Sequence, residues 1–415
     1  MITILCGGSR GDIQPYIALA QALISMGKDV RIAAGQSFES FITGYGIGFY
    51  PISADYQSAG IDQSLLRDAQ TSDNPLKMLI TFSKMKKYAS KMAASMTEEM
   101  YEACQGSELV VYHPGCAVGY FAARRMGIPA VLASPFPLHK TSEIASVIAY
   151  GRYKLPPAFT YKLLQGMLWM TSKAGVSSYL KQRFGQLPDG FGCPFEKVSH
   201  RYPAIVSCSN AVFKRPGDWD ENIHQYGYWF AKENGGYTPP AELTDFLDRG
   251  EAPVYFGFGS VFRDDDKERL VRLVIEALLQ SGRRGLICGM GEIKELPDSV
   301  LAVGNTPHTW LFERVSAVCH HGGAGTTAAG FRAGVPSIIT PFSNDQFAWA
   351  HRAYDIGVGA YPIPGKKLTA TKLAEAVSFA LSDSVKKNAA ALAQSIASEN
   401  GASRCAQVIA DCLER

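Results

Sequence analysis

Short apolar runs alternate with helix-like patterns along almost the whole chain, and this alternation restricts the fold more than any other feature. The runs lie at residues 2–6, 30–33, 109–112, 130–133 and 204–207, and then at 253–258, 285–288, 301–303, 317–320 and 337–340. Apolar runs of this length, separated by helices, are typical of buried parallel strands joined by crossover connections. The sequence therefore predicts an α/β protein built from doubly wound parallel sheets.

The chain length and one interruption of the pattern predict two domains. The 415 residues exceed what one ordinary domain contains. Glycine and proline pairs break the alternation between residues 214 and 244, which predicts a linker. We expect an N-terminal domain at residues 1–220, a C-terminal domain at 221–395, and a last helix at 396–415 that packs back on the N-terminal domain. A cleft between two such domains is a usual place for a small ligand.

Charge and cysteine content exclude several classes of protein. The 41 basic and 38 acidic side chains leave a net charge of +3, which argues against nucleic acid as a partner. None of the nine cysteines forms a CxxC pair, so we expect neither a disulfide framework nor a zinc site. The first apolar run is too short for a signal peptide, and no stretch of about 18 apolar residues could cross a bilayer. We expect a cytoplasmic protein; contact with a membrane surface stays open, and nothing implies an oligomer.

The strongest motif is His-His-Gly-Gly-Ala-Gly-Thr-Thr at residues 320–327, which follows a predicted strand and opens a predicted helix. In that position several backbone N–H groups and the positive helix end point at one place, as in a phosphate site. Glycine lets oxygen atoms approach the backbone closely, and threonine hydroxyls or an imidazole add donors. The alternative is a glycine-rich turn with two structural histidines. It is not a Walker loop, because no lysine follows the glycines.

Polar residues follow other strands of the C-terminal half. Asp345 and Gln346 follow the strand at 337–340 and suit vicinal sugar hydroxyls, although such a pair alone is more often a helix cap. Ser260 follows the strand at 253–258. Trp310 and the loop before it follow the strand at 301–303, where they could form a wall for a base; an interface role for the tryptophan is equally compatible with its position. Three aspartates at 264–266 fit a solvated first helical turn better than a metal site.

In the N-terminal half, Asp12 stands at the first turn from strand to helix. A carboxylate there could accept a proton from a bound hydroxyl group. It could equally cap the helix that follows, which we expect to have Pro15 near its first position. The residues alone leave both roles open. The loop is not a GxGxxG motif, and no acid ends the second strand, so a dinucleotide-binding fold is disfavoured.

Residues 153–170 crowd aromatic and methionine side chains into a short segment. This composition fits either a core helix or an apolar pocket. On the pocket hypothesis, the lining comes from this segment, with help from residues 135–137 and a helix near 76–82.

These motifs together resemble those of the family 1 glycosyltransferases of GT-B fold. The branch is that of sterol glucosyltransferases and of bacterial transferases of antibiotic and glycolipid synthesis. The matching segments, in order, are residues 8–23, 226–229, 256–260, 307–312, 320–327, 333–336 and 345–346. Plant flavonoid relatives use a histidine near the position of Asp12 and a longer donor motif, and this chain has neither.

The resemblance implies a GT-B fold, in which two Rossmann-like domains face a central cleft. It also implies an inverting glycosyltransferase that moves a sugar, expected to be glucose from UDP-glucose, onto a hydroxyl of a lipophilic small molecule such as a sterol or polyketide. Neither a cofactor nor a metal is implied. The implied roles are Asp12 as general base; Ser260, His321, Gly323, Gly325 and Thr326 at the diphosphate; Asp345 and Gln346 at the sugar; Val303, Pro307 and Trp310 at the base; and Phe136, Tyr153, Met167 and Trp169 at the acceptor.

Three alternatives stay open. The donor could be a dTDP-deoxysugar such as dTDP-rhamnose. A GT-B epimerase shares the architecture, although its motifs are absent from this sequence. If Asp12 is only a helix cap, the chain could be a non-catalytic protein that binds a sugar nucleotide or a lipid.

Overall fold

The computed structural model describes residues 1–53, 94–233, 235–258, 264–290, 293, 295–304 and 306–414. The chain divides into two units, each with its own parallel sheet. The first unit contains Met1–Ala149, Lys154–Asn234 and Glu399–Arg415, and the second contains Tyr150–Tyr153 and Gly235–Ser398. The predicted fold class is thereby confirmed.

The first unit contains a seven-stranded sheet in the order β3-β2-β1-β4-β5-β6-β7. All neighbouring strands are parallel, and the central strands are buried along their whole length. The strands are β1 (Ile2–Leu5), β2 (Val30–Gly35), β3 (Gly48–Ile52), β4 (Leu109–Tyr112), β5 (Ala130–Ser134), β6 (Ala204–Ser207) and β7 (Ile223–Gly227).

The second unit contains a five-stranded parallel sheet in the order β10-β9-β8-β11-β12. Its strands are β8 (Val254–Gly257), β9 (Gly285–Cys288), β10 (Val300–Val303), β11 (Ala317–His320) and β12 (Ser337–Ile339). The interior strands of both sheets are nearly continuous apolar runs, as is typical of parallel sheets that helices cover on both faces.

We number the helices of the described residues in chain order. They are α1 (Arg10–Ser25), α2 (Glu39–Thr43), α3 (Val118–Met126), α4 (Pro157–Phe184), α5 (Ala241–Asp248), α6 (Asp264–Ser281), α7 (His308–Leu311), α8 (Ala324–Ala333), α9 (Gln346–Asp355), α10 (Ala370–Ala380), α11 (Asp383–Ala397) and α12 (Gly401–Leu413). Among the described residues, no helix is long and apolar enough to cross a membrane.

Helix α1 differs from the sequence prediction at its start. It begins at Arg10, with Ser9 as its N-cap, so that Pro15 lies inside the helix and not near its first position. Its buried face packs in the core of the first unit with side chains such as Ile13, Ile17 and Leu23. The early start places Asp12 in the first helical turn.

The predicted linker at residues 214–244 contains a strand. Residues Ile223–Gly227 form β7, which pairs with β6 and extends the first unit to Asn234, beyond the predicted boundary at residue 220. Buried and partly exposed side chains alternate along β7, as expected at a sheet edge. The strand was not predicted, because its polar residues interrupt the apolar run by which the other strands were identified.

The C-terminal helix belongs to the first unit. Helix α12 packs against α1 and β7. A Cβ atom at Gly401 would lie 2.5 Å from the carbonyl oxygen of Gly227, so only glycine permits this close approach. Arg404 places its guanidinium 3.8 Å from the centre of the Tyr226 ring. The first turn of α12 thus packs against the edge strand of the first sheet.

A short segment before α4 belongs to the second unit. The Tyr150 hydroxyl donates a hydrogen bond to Asp355 Oδ2 at 2.6 Å, and Arg152 lies 4.1 Å above the Phe347 ring. Gly151 abuts His351 so closely that a side chain there would collide with the imidazole. Tyr150–Tyr153 therefore packs on α9, although the sequence placed it within the N-terminal domain.

Candidate active site

Asp12 lies just beyond the carboxyl end of β1, in the first turn of α1. Its Oδ2 atom accepts two hydrogen bonds from Ser9, one from the backbone N–H at 2.7 Å and one from the hydroxyl at 2.8 Å. Gly8 has φ of +116°, and a Cβ atom there would lie 2.5 Å from Asp12 Oδ2. Glycine is thus needed at position 8 both for its backbone conformation and for the space that the carboxylate occupies.

The two roles predicted for Asp12 use different oxygen atoms. Both donors of Ser9 go to Oδ2, which is the reciprocal half of a capping box. Among the described residues no donor reaches Oδ1. The side chain is partly exposed, so this oxygen can accept a proton or a hydrogen bond from a bound molecule. The hydrogen bonds from Ser9 thus hold the carboxylate in place and leave Oδ1 available.

His113 lies beside this carboxylate, and the sequence analysis did not select it. It follows β4, which is the neighbour of β1 in the sheet. Its Nδ1 atom accepts a hydrogen bond from the Gly115 N–H at 3.0 Å, so the neutral ring carries its proton on Nε2. Burial lowers its pKa to about 4, against an opposing effect of the Asp12 carboxylate. A polar residue directly after a predicted strand was the signal that could have identified it.

The predicted acceptor residues separate into different environments. Phe136 is half-buried after β5, the next strand along the same sheet edge. Trp169 is 8% exposed and packs with Phe121 and Phe191 in the core. Met167 is 41% exposed on another face of α4, and Tyr153 belongs to the segment that packs on α9. Met167 and Trp169 therefore lie on different faces of α4.

The predicted phosphate loop connects β11 to α8. Gly323 is the N-cap of α8, and no acidic residue lies in the first turn. The N–H groups of this turn have no acceptor within the helix, and the helix dipole makes this end positive. Gly322 has φ of +95°, and a Cβ there would lie 2.8 Å from Ile339 and 3.0 Å from the Gln346 carbonyl oxygen. The loop can thus present backbone donors to an anion.

The two histidines of the loop have different environments. His320 is fully buried; its Nδ1 accepts the Gly322 N–H at 3.0 Å, and burial holds its pKa well below the usual value. His321 folds over the loop, since a Cβ at Gly323 would lie 2.8 Å from its Nε2. Its Nδ1 is buried and has no hydrogen-bond partner in the part of the chain that is described. Burial also lowers the pKa of His321. Each ring has one buried nitrogen without a partner in the described part of the chain, but only His321 lies over the loop.

Asp345 and Gln346 adjoin this loop at the start of α9. Asp345 Oδ2 accepts a hydrogen bond from Trp349 Nε1 at 2.9 Å. Gln346 Oε1 accepts the N–H groups of Phe342 at 2.8 Å and Ser343 at 3.1 Å, which fixes the turn after β12. The close approach of Gly322 to Gln346 joins the two predicted parts of the donor site.

The predicted base-binding residues lie at the other edge of the second sheet. Val303 ends β10, and Pro307 is the N-cap of α7. The Trp310 ring packs against Tyr237, with ring centres 5.3 Å apart, and against Arg314 at 4.3 Å. Both neighbours occupy parts of the surface that a base could have used. Ser260, the remaining predicted diphosphate ligand, lies outside the described residues.

A cluster between these two edges was not predicted. The His308 ring stacks on Phe312 at 4.4 Å, and its Nε2 lies 3.3 Å from the Tyr255 hydroxyl. Tyr255 reaches this position because Gly257, at the end of β8, has no side chain to obstruct it. The cluster adds polar groups near the carboxyl ends of the central strands, where ligands of such sheets bind.

Two family comparisons match the two ends of the chain. Residues 2–135 match the glycosyltransferase family 28 N-terminal domain. Residues 289–415 match the C-terminal domain of erythromycin biosynthesis protein CIII-like proteins. The first range contains Asp12 and His113, and the second contains the loop at 320–327.

Curated relatives align over almost the full chain. A sterol 3-beta-glucosyltransferase of Arabidopsis thaliana is 30% identical over 407 residues, which cover 96% of this chain and 66% of that protein. A sterol 3-beta-glucosyltransferase of Yarrowia lipolytica is 33% identical, over 99% of this chain and 28% of that protein. This chain thus spans less than two thirds of the length of either relative.

Solved structures share the fold. A glycotransferase of kitacinnamycin superposes with a TM-score of 0.72 at 19% identity, covering 99% of this chain and 98% of that one. The calicheamicin glycosyltransferase CalG4 gives 0.71 at 18% identity, covering 100% and 98%. At these identities the likeness shows the fold alone. The family matches and the curated relatives identify the chain as a member of the family 1 glycosyltransferases, and the solved structures show that its fold is the GT-B fold.

Proposed function

We propose that this protein is an inverting glycosyltransferase that transfers glucose from UDP-glucose to a hydroxyl group of a lipophilic small molecule, in the first instance a sterol. The observation that carries the proposal is the loop at residues 320–327. It combines unpaired helix N-terminal donors with a buried imidazole nitrogen that has no partner among the described residues. Together these features suit the diphosphate of a nucleotide sugar.

The donor side of the reaction follows from this loop. The first turn of α8 and the His321 imidazole would stabilise the negative charge that develops on the diphosphate as the anomeric carbon–oxygen bond breaks. Because burial favours the neutral form of His321, the ring would act as a hydrogen-bond donor and not as a cation. The Asp345 and Gln346 side chains would contact the sugar hydroxyls. No metal is required in this scheme.

The acceptor side follows from Asp12. Its Oδ1 would take the proton of the acceptor hydroxyl while the acceptor oxygen forms a bond to the anomeric carbon. A single displacement of this kind inverts the configuration at that carbon. The hydrogen bonds from Ser9 hold the carboxylate in one orientation, which lowers the cost of reaching the reactive geometry.

The choice of glucose and of a sterol rests on the relatives. The curated relatives named above are sterol 3-beta-glucosyltransferases, and each aligns with nearly the whole of this chain. Polyketides and other natural products are included as acceptors because the sequence motifs also resemble those of antibiotic transferases. The UDP part of the donor is the least constrained element of the proposal.

The test is a matrix of donors and acceptors. UDP-glucose, dTDP-glucose and dTDP-rhamnose are each incubated with sterols, polyketides and flavonoids, with and without EDTA, and products are identified by mass spectrometry. We expect a glucoside of a sterol or another apolar alcohol from UDP-glucose, undiminished by EDTA. Activity with dTDP-rhamnose alone would overturn the donor assignment, and nucleotide binding without any product would overturn catalysis.

A further inference from the structure

Helix α4 carries an exposed row of large apolar side chains. Four of its residues are between 41% and 68% exposed, and we call them the apolar stripe: Phe159, Leu163, Met167 and Met170. They are spaced by four, four and three residues, which places them on one face of a helix. At about 100° per residue the four members fall within an arc of about 80°, and they extend for about 17 Å along the axis.

The opposite face of α4 accounts for the packing of the helix. Tyr161, Leu164 and Trp169 are at most 8% exposed and belong to the core of the first unit. The apolar stripe therefore does not stabilise the unit through this packing. An exposed apolar row that the fold does not need is a sign of an interaction site.

Other exposed apolar side chains do not form such a row. In the described part of the chain, Tyr153 and Leu155 precede α4, and the others occur singly or in pairs on four other helices or in the segments that follow them. Single exposed apolar residues are ordinary on protein surfaces. The continuity of the apolar stripe is what requires an explanation.

The charges on α4 itself are all of one sign. Helix α4 has 28 residues, of which four are basic and none is acidic. Lys162 and Lys173 lie along one border of the stripe, about 80–100° from Leu163 on the helix surface, and Lys181 lies in line with it. One further basic residue of the first unit, Lys154, precedes the helix. A helix face of this kind favours contact with a surface that is both negatively charged and apolar.

We propose that the apolar stripe and its lysines dock the protein on the surface of a membrane that contains anionic lipids. Helices that lie in a bilayer interface insert an apolar face and place lysines among the headgroups. A second copy of the chain fits less well, because a symmetric contact through this face would bring the same lysines against one another. No acidic side chain of α4 could offset that repulsion.

This surface also has a consequence for substrate supply. A sterol-like acceptor resides in a bilayer and not in water, so an enzyme docked at the interface meets it at high local concentration. The docking itself does not depend on the proposed glucosyl transfer. It can be measured with neither donor nor acceptor present, so failure of one proposal leaves the other standing.

The test is flotation of the whole protein with vesicles. One set contains phosphatidylcholine alone, and the other contains about 30% phosphatidylglycerol. We expect the protein to float with the anionic vesicles, and raising the salt to about 0.5 M to reduce the bound fraction strongly by screening. The double variant Leu163→Ser/Met170→Ser should lower the bound fraction about fivefold or more, through loss of the inserted apolar side chains.

Two controls keep the result interpretable. Leu279→Ser changes a residue on α6 that is 61% exposed, and it should bind like the wild type. Lys162→Glu/Lys173→Glu leaves the apolar stripe intact and should lose binding to anionic vesicles, which covers the case in which the serine variant does not fold. The proposal is overturned if the wild type does not bind anionic vesicles, or if Leu279→Ser loses as much binding as the stripe variant. It is also overturned if sedimentation shows that the wild type is a dimer and the stripe variant a monomer.

Discussion

At the scale of single residues, the position of Asp12 depends on the absence of a side chain at Gly8. Replacing Gly8 with alanine would put a methyl group 2.5 Å from Asp12 Oδ2, at a φ value that alanine avoids. We therefore expect Gly8→Ala to lower turnover about tenfold or more by displacing the carboxylate. Turnover is measured at saturating donor and acceptor.

The matched control for this prediction is Gly27→Ala, just after the same helix. Gly27 has φ of +76°, and a methyl group at this position would have no other atom within 4 Å, so alanine there adds only backbone strain. It should lower stability by about 1 kcal/mol and leave turnover unchanged. Equal losses of turnover in the two variants would show that strain, and not displacement of Asp12, is responsible.

His321 supplies a second prediction at this scale. Its ring lies over the phosphate loop, where the proposed donor diphosphate would bind. We expect His321→Ala to raise the Kd for UDP about tenfold or more, the usual effect of losing a hydrogen bond to a charged group. His200→Ala serves as control because that side chain is 70% exposed in the first unit. Unchanged UDP affinity in His321→Ala would remove the residue from the donor site.

At the scale of elements, α4 contains two adjacent residues with opposite environments. Trp169 packs with Phe121 and Phe191 at ring distances of 5.8 and 5.5 Å, whereas Met170 is 68% exposed. Trp169→Ala should lower the free energy of unfolding by about 3–5 kcal/mol, and Met170→Ala should change it by less than about 0.5 kcal/mol. Denaturant unfolding tests both. If Trp169→Ala unfolds like the wild type but alters the choice of acceptor, the ring lines a pocket.

Elements with continuous apolar runs could be predicted from the sequence to within about two residues, as for β4, β6, β9 and β11. The edge strands of the first sheet could not. Strand β3 contains a proline, and β7 alternates polar and apolar side chains, because an edge strand buries only part of its surface. Local patterns also carried no information that Tyr150–Tyr153 would pack on α9, since that contact joins residues about 200 positions apart.

The candidate site was partly predictable for a related reason. Parallel strands end at one edge of a sheet, so polar residues after strands could be selected from the sequence, as with Asp12 and His321. The sequence could not show that Ser9 binds only one oxygen of Asp12, because this depends on where the N–H and hydroxyl groups of Ser9 lie. His113 satisfied the same positional rule but was overlooked. The exposed face of α4 could not be predicted from the sequence, because it depends on the residues against which Trp169 packs.

At the scale of the whole molecule, buried neutral histidines make stability depend on pH. Burial lowers the pKa of His113 and of His139 to about 4 and holds that of His320 well below its usual value of 6.5. Between pH 4 and 6.5 the unfolded chain therefore binds more protons than the folded one. Stability is full above about pH 6.5 and is lost as pH falls toward 4.

The measurement for this pH dependence is the melting temperature at pH 7.5 and pH 5. His139 is 1% exposed, and its ring packs edge-on against Trp219 with ring centres 6.0 Å apart. His139→Phe should therefore reduce the loss between the two pH values, since one such histidine contributes up to about 1.4 kcal/mol per pH unit. An identical loss in variant and wild type would show that His139 does not remain neutral in the folded state.

The proposed reaction uses Asp12 as its base. The most direct test of this account is turnover of UDP-glucose with an accepted alcohol by Asp12→Asn. Asparagine can still accept the hydrogen bonds from Ser9 through its amide oxygen but cannot take the proton, so the cap is kept and the base is lost. The account predicts turnover reduced about a hundredfold or more, with the melting temperature and the Kd for UDP unchanged. Turnover within a few-fold of the wild type would contradict it and leave Asp12 as a helix cap.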